Sequence, residues 1–597
     1  MSREIRWWSL GAWSLTLAGV AGAQVTQRVS LDSNGVASGM QCMHSSISAD
    51  GRFVAFTSFG VLVPEDTNSN FDVYVRDRLS GTTERVSVDS SGAESSEGSH
   101  LPAISRDGRS VVFQSMAGFA PGDVDGDWDL YVHDRQTGST VQVNVDSGGV
   151  PSNGSTNDFA ISGDGRYVAF ESSGTDLVPG DTNGSDDVFV RDLVSGTTER
   201  VSLTTSGVQA DSASGAPSIS EDGRFVAFES HATNLVAGDT NGLQDVFVRD
   251  RQLGTTELAS LDSSGSQANQ SSFDPAISAD GRYVGFACAA SNLVPGDTNG
   301  FQDVFLRDRQ AGSTERVSVS SAGAEGNSTC SGMIAISDDG RTVAFTSFAS
   351  NFGPPGYAGL DIFVRDLQLG TTEQASVSSA GVPADDQTNS EVSVSADGRF
   401  VAFSSYATNL VPGDTPITGD VFVRDRFGGT SFTSLCDPGS GGVVGCPCSN
   451  PPGGPGRGCE NSAATGGAVL SALGGAYLSS DSLVFTTSGE KPTALTILLQ
   501  GTNGLTVGVA YGQGVRCVGG TLKRLFVKNA VAGSITAPVF GAGDPTVSAR
   551  SAAKGDVIQA GQSRWVLAVY RDPAVLGGCP ASSGFNATQT GRIAWSP

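Results

Sequence analysis

The triplet Asp-Gly-Arg recurs seven times in this 597-residue chain, at intervals of 57 to 59 residues. Its aspartates are Asp50, Asp107, Asp164, Asp222, Asp280, Asp339 and Asp397. A period of this length is typical of a supersecondary unit that stacks on its neighbours because it cannot bury its apolar residues alone. The chain is therefore restricted to an architecture built from repeated units.

Each unit contains four short strand-like segments. In the third unit they are FAIS (159–162), RYVAFES (166–172), DVFVRD (187–192) and TTERVSL (197–203). The segments are rich in Val, Phe and Thr and are bounded by Gly, Asp, Asn and Ser, which is typical of strands joined by turns. The third segment is apolar at three consecutive positions, as expected when neighbouring units cover both of its faces. Four strands in each of seven units predict an all-β fold, a seven-bladed β-propeller.

The pattern Ile-Ser-x-Asp-Gly-Arg-x-Val-Ala-Phe, followed by Asp-Val-Phe-Val-Arg-Asp, extends over about residues 25–435. It resembles the TolB-type, WD40-like β-propeller repeat, and the resemblance implies a propeller fold. The resemblance is limited to the repeat, because this chain has seven units where TolB has six and shows no separate N-terminal α/β domain. A TolB role in the outer-membrane energy system is therefore not implied.

The two ends of the repeat region compete for the outer position of the seventh blade. TQRVSLDSNG at 26–35 matches TERVSVDSSG of the first unit, so the N-terminal segment carries a spare outer strand. GTSFTSL at 429–435 falls in the same position of the last unit. Because closing the ring removes exposed strand edges, we expect the N-terminal strand to complete blade 7, with residues 430–435 beside it.

The first 23 residues have the features of a cleaved signal peptide. Arg3 and Arg6 precede an apolar stretch, 7–20, and Ala21-Gly22-Ala23 gives the pattern that signal peptidase recognises. The stretch is shorter than the roughly 20 residues of a spanning helix. We therefore expect a protein that is exported to the periplasm, the cell surface or the extracellular space, without an integral membrane span after cleavage.

Composition divides the mature chain into a propeller at 24–436, a Cys-, Gly- and Pro-rich linker at 437–465, and a small β-sandwich-like domain at 466–597. Nine Cys in an exported chain predict disulfides. Six candidates allow fifteen pairings, which stay open: Cys436, Cys446, Cys448, Cys459, Cys517 and Cys579. The run from CPCSNPP to NATQTGRIAWSP resembles a C-terminal module of other secreted bacterial proteins. Cys42, Cys288 and Cys330 are odd in number, so at least one is free or pairs outside the propeller.

Six of the seven units carry an Asp at each end of a seven-residue stretch, as in DTNGSDD of unit 3. Asp and Asn at alternate positions around a Gly are typical of calcium loops, and the four crowded carboxylates of DVDGDWD make unit 2 the strongest candidate. The predicted calcium ligands are Asp123, Asp125, Asp127, Asp129, Asp181, Asn183, Asp187, Asp239, Asn241, Asp245, Asp297, Asn299 and Asp303. The alternative is a plain turn, in which Asn-Gly supplies the positive φ values.

The four connections of a unit differ in length. The second and fourth are long and lie on one face of the predicted disc, the long-loop face, whereas the first and third are short and lie on the opposite, tight-turn face. Loop length marks the long-loop face as the binding surface. We expect the Arg of Asp-Gly-Arg and the Arg-Asp that ends the third strand to form structural pairs near the tight-turn face.

The net charge of −26 argues against binding to nucleic acid or an anionic membrane and favours divalent cations or basic partners. His44 and His100 have no acidic or thiol partner at metal-ligand spacing, and no nucleophile elbow occurs, so no catalytic residue is predicted. We predict a monomeric binding or scaffold protein that presents a ring of acidic loops to a protein or glycan. The alternative is a lyase or glycosidase of extracellular polysaccharide, which would need one asymmetric set of polar channel residues.

Overall fold

A computed structural model describes residues 24–119, 126–330, 333–354, 359–414, 419–426, 433–436, 459, 468–473, 483–511, 514–539, 544–559, 562–572, 585–588 and 590–594. The propeller forms one compact unit, Gln24–Arg426, and Phe427–Pro597 belongs to a second. The propeller thus ends before the expected boundary at 436, because residues 433–436 pair with a strand of the second unit. The predicted signal peptide, and the predicted linker apart from Cys459, lie outside the described residues.

Seven four-stranded antiparallel sheets make up the first unit, which confirms the predicted seven-bladed propeller. The first strand of the chain is β1 (Val25–Arg28). Blades 1 to 3 contain β2 (Cys42–Ile47), β3 (Phe53–Ser58), β4 (Asp72–Asp77), β5 (Thr82–Arg85), β6 (Ser99–Ile104), β7 (Ser110–Ser115), β8 (Asp129–Asp134), β9 (Ser139–Gln142), β10 (Thr156–Ile161), β11 (Tyr167–Ser172), β12 (Asp187–Asp192) and β13 (Thr197–Arg200). Blades 4 to 7 contain β14 (Ser214–Ile219), β15 (Phe225–Ser230), β16 (Asp245–Asp250), β17 (Thr255–Leu258), β18 (Ser272–Ile277), β19 (Tyr283–Cys288), β20 (Asp303–Asp308), β21 (Ser313–Arg316), β22 (Ala335–Ile336), β23 (Thr342–Ser347), β24 (Asp361–Asp366), β25 (Thr371–Gln374), β26 (Thr388–Val394), β27 (Phe400–Ser405) and β28 (Asp420–Asp425).

The N-terminal strand closes the ring. β1 pairs antiparallel with β28, with Val25 opposite Asp425 and Arg28 opposite Phe422, so the sheet order of blade 7 is β1-β28-β27-β26. This confirms the predicted role of the N-terminal segment. The expectation that residues 430–435 run beside β1 is wrong for the part of this segment that the structure describes, because Thr433–Cys436 pairs with a strand near the C-terminus. Residues 430–432 lie outside the described residues.

The third strand of each blade is buried between its neighbours, as its apolar run predicts. In β12, Val188, Phe189 and Val190 are all fully buried. Val188 and Val190 share an apolar core with Val226 of blade 4, whereas Phe189 shares one with Val132 of blade 2. Each blade therefore depends on the next for the burial of its apolar side chains.

The Asp-Gly-Arg turns hold the tight-turn face together. Gly165 has a φ of 72°, a conformation that favours glycine, and the following Arg166 pairs with Asp192 at 2.6 Å. Arg251 of blade 4 lies over the ring of Tyr167 of blade 3, with 4.5 Å between guanidinium and centroid. The same arginine–aspartate pair recurs in every blade, which confirms its predicted structural role: Arg52–Asp77, Arg109–Asp134, Arg166–Asp192, Arg224–Asp250, Arg282–Asp308, Arg341–Asp366 and Arg399–Asp425.

The second unit is mostly β. Its elements are β29 (Thr433–Cys436), β30 (Val469–Leu473), β31 (Val484–Ser488), β32 (Leu495–Gly501), β33 (Asn503–Tyr511), β34 (Gly514–Gly519), β35 (Lys523–Asn529), β36 (Thr536–Ala537), α1 (Val547–Ala553), β37 (Ser563–Arg571), β38 (Phe585–Ala587) and β39 (Thr590–Ala594). The sheet β29-β39-β37-β32-β35, with β38 on β37, accompanies the smaller sheets β30-β31-β36 and β33-β34. Phe485 of β31, Leu498 of β32 and Val547 of α1 share one core, so two sheets and the helix pack on each other.

The three propeller cysteines form no disulfide. In the propeller, Cys42, Cys288 and Cys330 are buried free thiols. Disulfide pairing among the six C-terminal candidates stays a prediction. In the part of the chain that the structure describes, no helix has the length and apolar character needed to cross a membrane.

Candidate functional site

Each acidic bend, the seven-residue stretch flanked by two Asp, lies just before the third strand of its blade. In blade 3, Asn183 folds back on the bend: its Oδ1 accepts a hydrogen bond from the Ser185 N–H (3.1 Å), and its Nδ2 donates to Asp187 (3.3 Å). Gly184 follows with a φ of 65°. The bend thus has the Asn-Gly turn that the sequence offered as the alternative to a calcium loop.

An arginine of the fourth strand lies between the two aspartates of this bend. Nη1 of Arg200 is 3.2 Å from a carboxylate oxygen of Asp181 and 2.9 Å from one of Asp187. Its Nη2 donates to the Gly180 carbonyl (3.3 Å). All three charged side chains are more than nine-tenths buried. Buried carboxylates need a cation or several donors, and here the chain itself supplies the cation.

Three further bends have the same arrangement, namely Arg85 with Asp66 and Asp72 in blade 1, Arg316 with Asp297 and Asp303 in blade 5, and Arg28 with Asp414 and Asp420 in blade 7. In blade 1 the carboxylates of Asp66, Asp72 and Glu94 come within 4.8 Å of one another, and Arg85 pairs with all three. Calcium at the predicted ligands of blades 3 and 5 stays a prediction, with a guanidinium already beside those carboxylates.

The equivalent fourth-strand positions of blades 2, 4 and 6 hold Gln142, Leu258 and Gln374. Blade 6 also lacks the first Asp of the bend. In blade 4, Asp239 accepts from Gln267 (3.1 Å), and Asp245 accepts from Asn241 (2.8 Å) and Ser260 (2.5 Å). Neither carboxylate has an ion pair with an arginine or lysine of the described residues.

The bend of blade 2, the strongest calcium candidate, is described only in part. Asp123 and Asp125 lie outside the described residues. Asp127 is exposed, and Asp129 is buried and accepts a hydrogen bond from Nδ2 of Asn144. A calcium site in this bend therefore stays a prediction.

The first strands of the blades line a central channel, and here the repeat breaks down. The position six residues before the Asp of each Asp-Gly-Arg holds His44, Leu101, Asp158, Ala216, Asp274, Met333 and Glu391. Four of these residues have φ values between 46° and 53° and lie at a register shift of their strand: His44, Leu101, Ala216 and Asp274. Bulges of this kind re-aim side chains near functional sites.

A cavity of about 200 Å³ lies in this channel and is lined by residues of blades 1, 2, 3, 6 and 7. On its wall, Nδ1 of His44 is 2.6 Å from Oε1 of Glu391. His44 thus has an acidic partner that metal-ligand spacing in the sequence does not reveal, because Glu391 is distant in sequence but belongs to the adjacent blade. Asp158 lines the same cavity, and the lining includes no arginine or lysine of the described residues.

Blades 3, 4 and 5 add further carboxylates to the channel region. Glu229 of β15 accepts a hydrogen bond from the Asp274 N–H (2.9 Å), and Glu171 of β11 accepts one from the Ala216 N–H (3.2 Å). Burial, together with nearby acids, raises the pKa of Glu229 to about 7 and that of Asp274 to about 6. Burial also raises the pKa of Asp158. None of these carboxylates has an ion pair with an arginine or lysine of the described residues.

Arg106 spans the channel at the tight-turn end. Its guanidinium pairs with Asp338 of blade 6 and lies 3.6 Å from Glu221 of blade 4. Gly163 leaves room for it, since a Cβ there would lie 2.1 Å from Cδ of Arg106. Backbone hydrogen bonds such as Ala49 N–H to the Arg106 carbonyl (2.9 Å) join neighbouring blades at the same level, at six of the seven junctions between blades. The channel is therefore obstructed at this end.

Aromatic side chains flank the long-loop end of the first two blades. The ring of His100 lies 4.9 Å from that of Phe71 and 5.7 Å from that of Trp128, and Phe59 packs edge-on against Phe71. Burial lowers the pKa of His100. The end of the channel on the long-loop face thus combines an aromatic side with the acidic side of blades 3 to 5.

The sequence contains a signal for the arginines of the bends that residue-by-residue inspection of the acidic loops misses. Arginine ends the fourth strand in four of the six units that have both aspartates, and it is absent from the unit that lacks the first one. An alignment of the units therefore links the fourth-strand arginine to the first aspartate of the bend. The channel residues have no such signal, because their partners come from other units.

No protein-family model matches the chain, and no curated protein matches it. Among solved structures it is similar to an oligogalacturonate lyase in complex with manganese (11% identity, TM-score 0.43, 68% of this chain and 94% of that chain). It is also similar to an oligogalacturonate lyase from Vibrio parahaemolyticus (12%, 0.42, 68% and 97%) and to a putative TolB from Agrobacterium tumefaciens (17%, 0.32, 57% and 93%). At these identities the likeness concerns the fold alone, and no ligand or activity is transferred from it.

Proposed function

We propose that the chain is an exported binding protein whose propeller receives a protein or glycan partner on the long-loop face, with the central channel as the point of contact. One observation carries the proposal: the channel is where near-identical blades present unlike polar residues around a cavity. The acidic bends, which the sequence suggested as the presented surface, instead keep most of their aspartates buried against arginines of their own blades.

The charge of the channel defines the chemistry of the partner. Asp158 and Glu391 line the cavity, and Glu229 and Asp274 lie close by without a cationic side chain. Such a wall attracts an ammonium or guanidinium group and repels a polyanion. We therefore expect a basic protein segment or a neutral or cationic glycan, and not a uronate polymer.

The direction of entry follows from Arg106. Its pairing with Asp338 obstructs the tight-turn end, so a partner reaches the cavity from the long-loop face. Phe71 and Trp128 on that face offer flat apolar surface for a sugar ring or an apolar side chain.

Binding of the intact mature protein to arrays of glycans and of basic and acidic peptides tests the proposal. Asp158→Asn/Asp274→Asn removes two channel charges, and Glu65→Gln/Glu97→Gln removes two exposed charges of the same face as the matched control. We expect the channel variant to lose at least about tenfold in affinity, or 1.4 kcal/mol, for the best cationic probe, and the control to keep it. Equal affinities of the two variants would refute the channel as the contact point.

The His44–Glu391 pair favours a second candidate, an extracellular polysaccharide-active enzyme. A carboxylate that orients a histidine is a common arrangement for a general base, and this pair faces a cavity that also holds Asp158. Lyase and glycosidase activity on neutral and cationic polysaccharides, lost in His44→Ala and kept in the exposed-charge control, would establish the enzyme. Binding without turnover would favour the binding protein.

Calcium remains part of the proposal only where arginine is absent. Blades 2 and 4 keep bend carboxylates without a fourth-strand arginine, so a stabilising ion would act there. Calcium titration of the Leu258→Arg variant separates the two bends, because this substitution would fill blade 4 and leave blade 2 unchanged.

A further inference from the structure

Blades 3 and 4 offer a natural comparison at their bends. They share four polar residues at equivalent positions: Asp181 and Asp239, Asn183 and Asn241, Asp187 and Asp245, and Gln209 and Gln267. In both blades the Gln donates to the first Asp at 3.1 Å. The blades differ where Arg200 of blade 3 is replaced by Leu258 in blade 4. Blade 4 therefore has a binding arrangement for a guanidinium without the side chain that would supply it.

A cavity of about 440 Å³ adjoins this position. Leu258, Gln267 and Gly238 contribute to its lining. Gly238 directly precedes the first Asp of the bend and corresponds to Gly180, whose carbonyl accepts a hydrogen bond from Nη2 of Arg200 in blade 3 (3.3 Å). The cavity is thus lined by the glycine equivalent to the one whose carbonyl accepts the guanidinium in blade 3, whereas Asp239 and Asp245 are not among its lining residues.

The carboxylates beside this position lack a cation. Asp239 is 9% exposed and Asp245 is fully buried, and the partners of both among the described residues are neutral. Burial, with Asp239 contributing, raises the pKa of Asp245. A positively charged group next to this pair would relieve a repulsion that blade 3 relieves with Arg200.

Two arginines of blade 5, Arg307 and Arg309, also line the cavity but do not prevent a further guanidinium from binding. Arg309 pairs with Glu257 (2.5 Å), and Arg307 donates to the Asp262 carbonyl (2.9 Å). At the bend of blade 3, Arg251 of blade 4 makes the equivalent pair with Glu199 (2.6 Å), and Arg200 is accommodated beside it. The same surroundings therefore tolerate an additional guanidinium.

We propose that blade 4 binds a guanidinium group from outside the chain, in the place that an arginine of the chain fills in blades 1, 3, 5 and 7. The group donates to the carboxylates of Asp239 and Asp245 and to the Gly238 carbonyl. A small alkylguanidine and an accessible arginine side chain carry the same chemistry. The site lies at the outer strand of its blade and is independent of the channel binding proposed above, but it uses the carboxylates proposed for calcium in blade 4, so the two cations would compete there.

Titration calorimetry of the intact protein with agmatine, and in a separate arm with the acetylated and amidated peptide Gly-Arg-Gly, tests the proposal. We expect one agmatine at the blade 4 site, with a dissociation constant on the order of 1 mM. Leu258→Arg should abolish this binding, because its own guanidinium fills the place, and should raise the melting temperature of the free protein. Arg200→Leu should give the chain a second agmatine site. Binding of the peptide as well would show that an arginine side chain can enter.

The proposed channel site also attracts a guanidinium group, so Asp158→Asn/Asp274→Asn is the control that removes the channel charges and leaves the blade 4 site intact. This variant should keep the agmatine binding that Leu258→Arg removes. Absence of binding up to about 50 mM, or equal binding by the wild type and Leu258→Arg, would overturn the proposal. If Arg200→Leu does not fold, the agmatine affinities of Leu258→Arg and of the channel variant decide whether agmatine binds at blade 4.

Discussion

The acidic bends and the channel wall are the two carboxylate-rich regions of the propeller, and the chain treats them in opposite ways. In the bends of blades 1, 3, 5 and 7, an arginine of the same blade stands between two buried aspartates. In the channel, Glu229 and Asp274 have no such partner among the described residues, and burial raises the pKa of both. The repeated charge is neutralised within the fold in these four blades, whereas the channel carboxylates Glu229 and Asp274 have no cation of the described residues beside them.

This difference separates interactions that recur from blade to blade from those that occur at one place only. A residue that recurs in every blade meets the same neighbours each time, so its interaction is a structural one that the fold uses many times. A residue that occurs once, such as Arg106 or His44, changes the surface at one place only.

The largest effect is expected from Arg316→Met, which leaves Asp297 and Asp303 buried without their cation. Removing one partner of a buried ion pair costs about 3–5 kcal/mol, and we expect the free energy of unfolding of the propeller at neutral pH to fall by that amount. Urea denaturation measures it. Arg109→Met, in the more exposed pair with Asp134, is the control and should cost far less. Equal losses would show that the bends do not depend on an internal cation.

Gly163→Ala should act through Arg106. The added Cβ would lie 2.1 Å from Cδ of Arg106 and 2.8 Å from Cγ of Glu221, so the guanidinium should be displaced from Asp338 at a cost of about 1–3 kcal/mol. In the Arg106→Ala background the same substitution should cost much less, because the main steric conflict is absent. A double-mutant cycle by urea denaturation checks this, and an additive cycle would argue against the obstructed channel.

The pH dependence of stability should identify Glu229. Its pKa of about 7 in the folded protein lies above the ordinary carboxyl value of roughly 4.3. The folded state therefore binds this proton more tightly than the unfolded state does, and the contribution of Glu229 to stability declines as the pH rises from about 5 to 8. Glu229→Gln lacks this decline, so its stability relative to wild type should increase by about 1–2 kcal/mol over that range. A constant difference between the two proteins would mean that Glu229 titrates normally.

The smallest effect is expected from metal removal. Because arginines already neutralise four bends, excess EDTA should lower the melting temperature of metal-replete protein by about 2 °C or less. A much larger fall in melting temperature would mean that calcium, and not arginine, neutralises the bends, and would contradict the contrast between bends and channel.

Much of the fold follows from the sequence, because a repeat turns one local pattern into a global constraint. The apolar run of β12 predicts cover on both faces, and the match between residues 26–35 and the first unit predicts the strand that closes blade 7. The course of the chain after Arg426 could not be predicted in the same way. GTSFTSL suits either sheet, and the pairing of Thr433–Cys436 depends on a strand near the far end of the chain.

The channel shows where sequence reasoning ends. His44 and Glu391 are 347 residues apart and meet only because ring closure makes blades 1 and 7 neighbours. Arg106 reaches Asp338 across the axis, at a separation of 232 residues, and the glycine that makes room for it lies in a third blade. No local pattern marks these residues, whereas the shared occurrence of Arg200 with Asp181 and Asp187 was readable from the aligned units.

The most direct test of the contrast between bends and channel is the position of a carboxylate-seeking cation in crystals of the intact protein. We predict that terbium soaking at pH 8 gives an anomalous peak in the channel beside Asp158, Asp274 and Glu229, and none at the arginine-filled bends of blades 1, 3, 5 and 7. Peaks at those four bends, with the channel empty, would contradict the account.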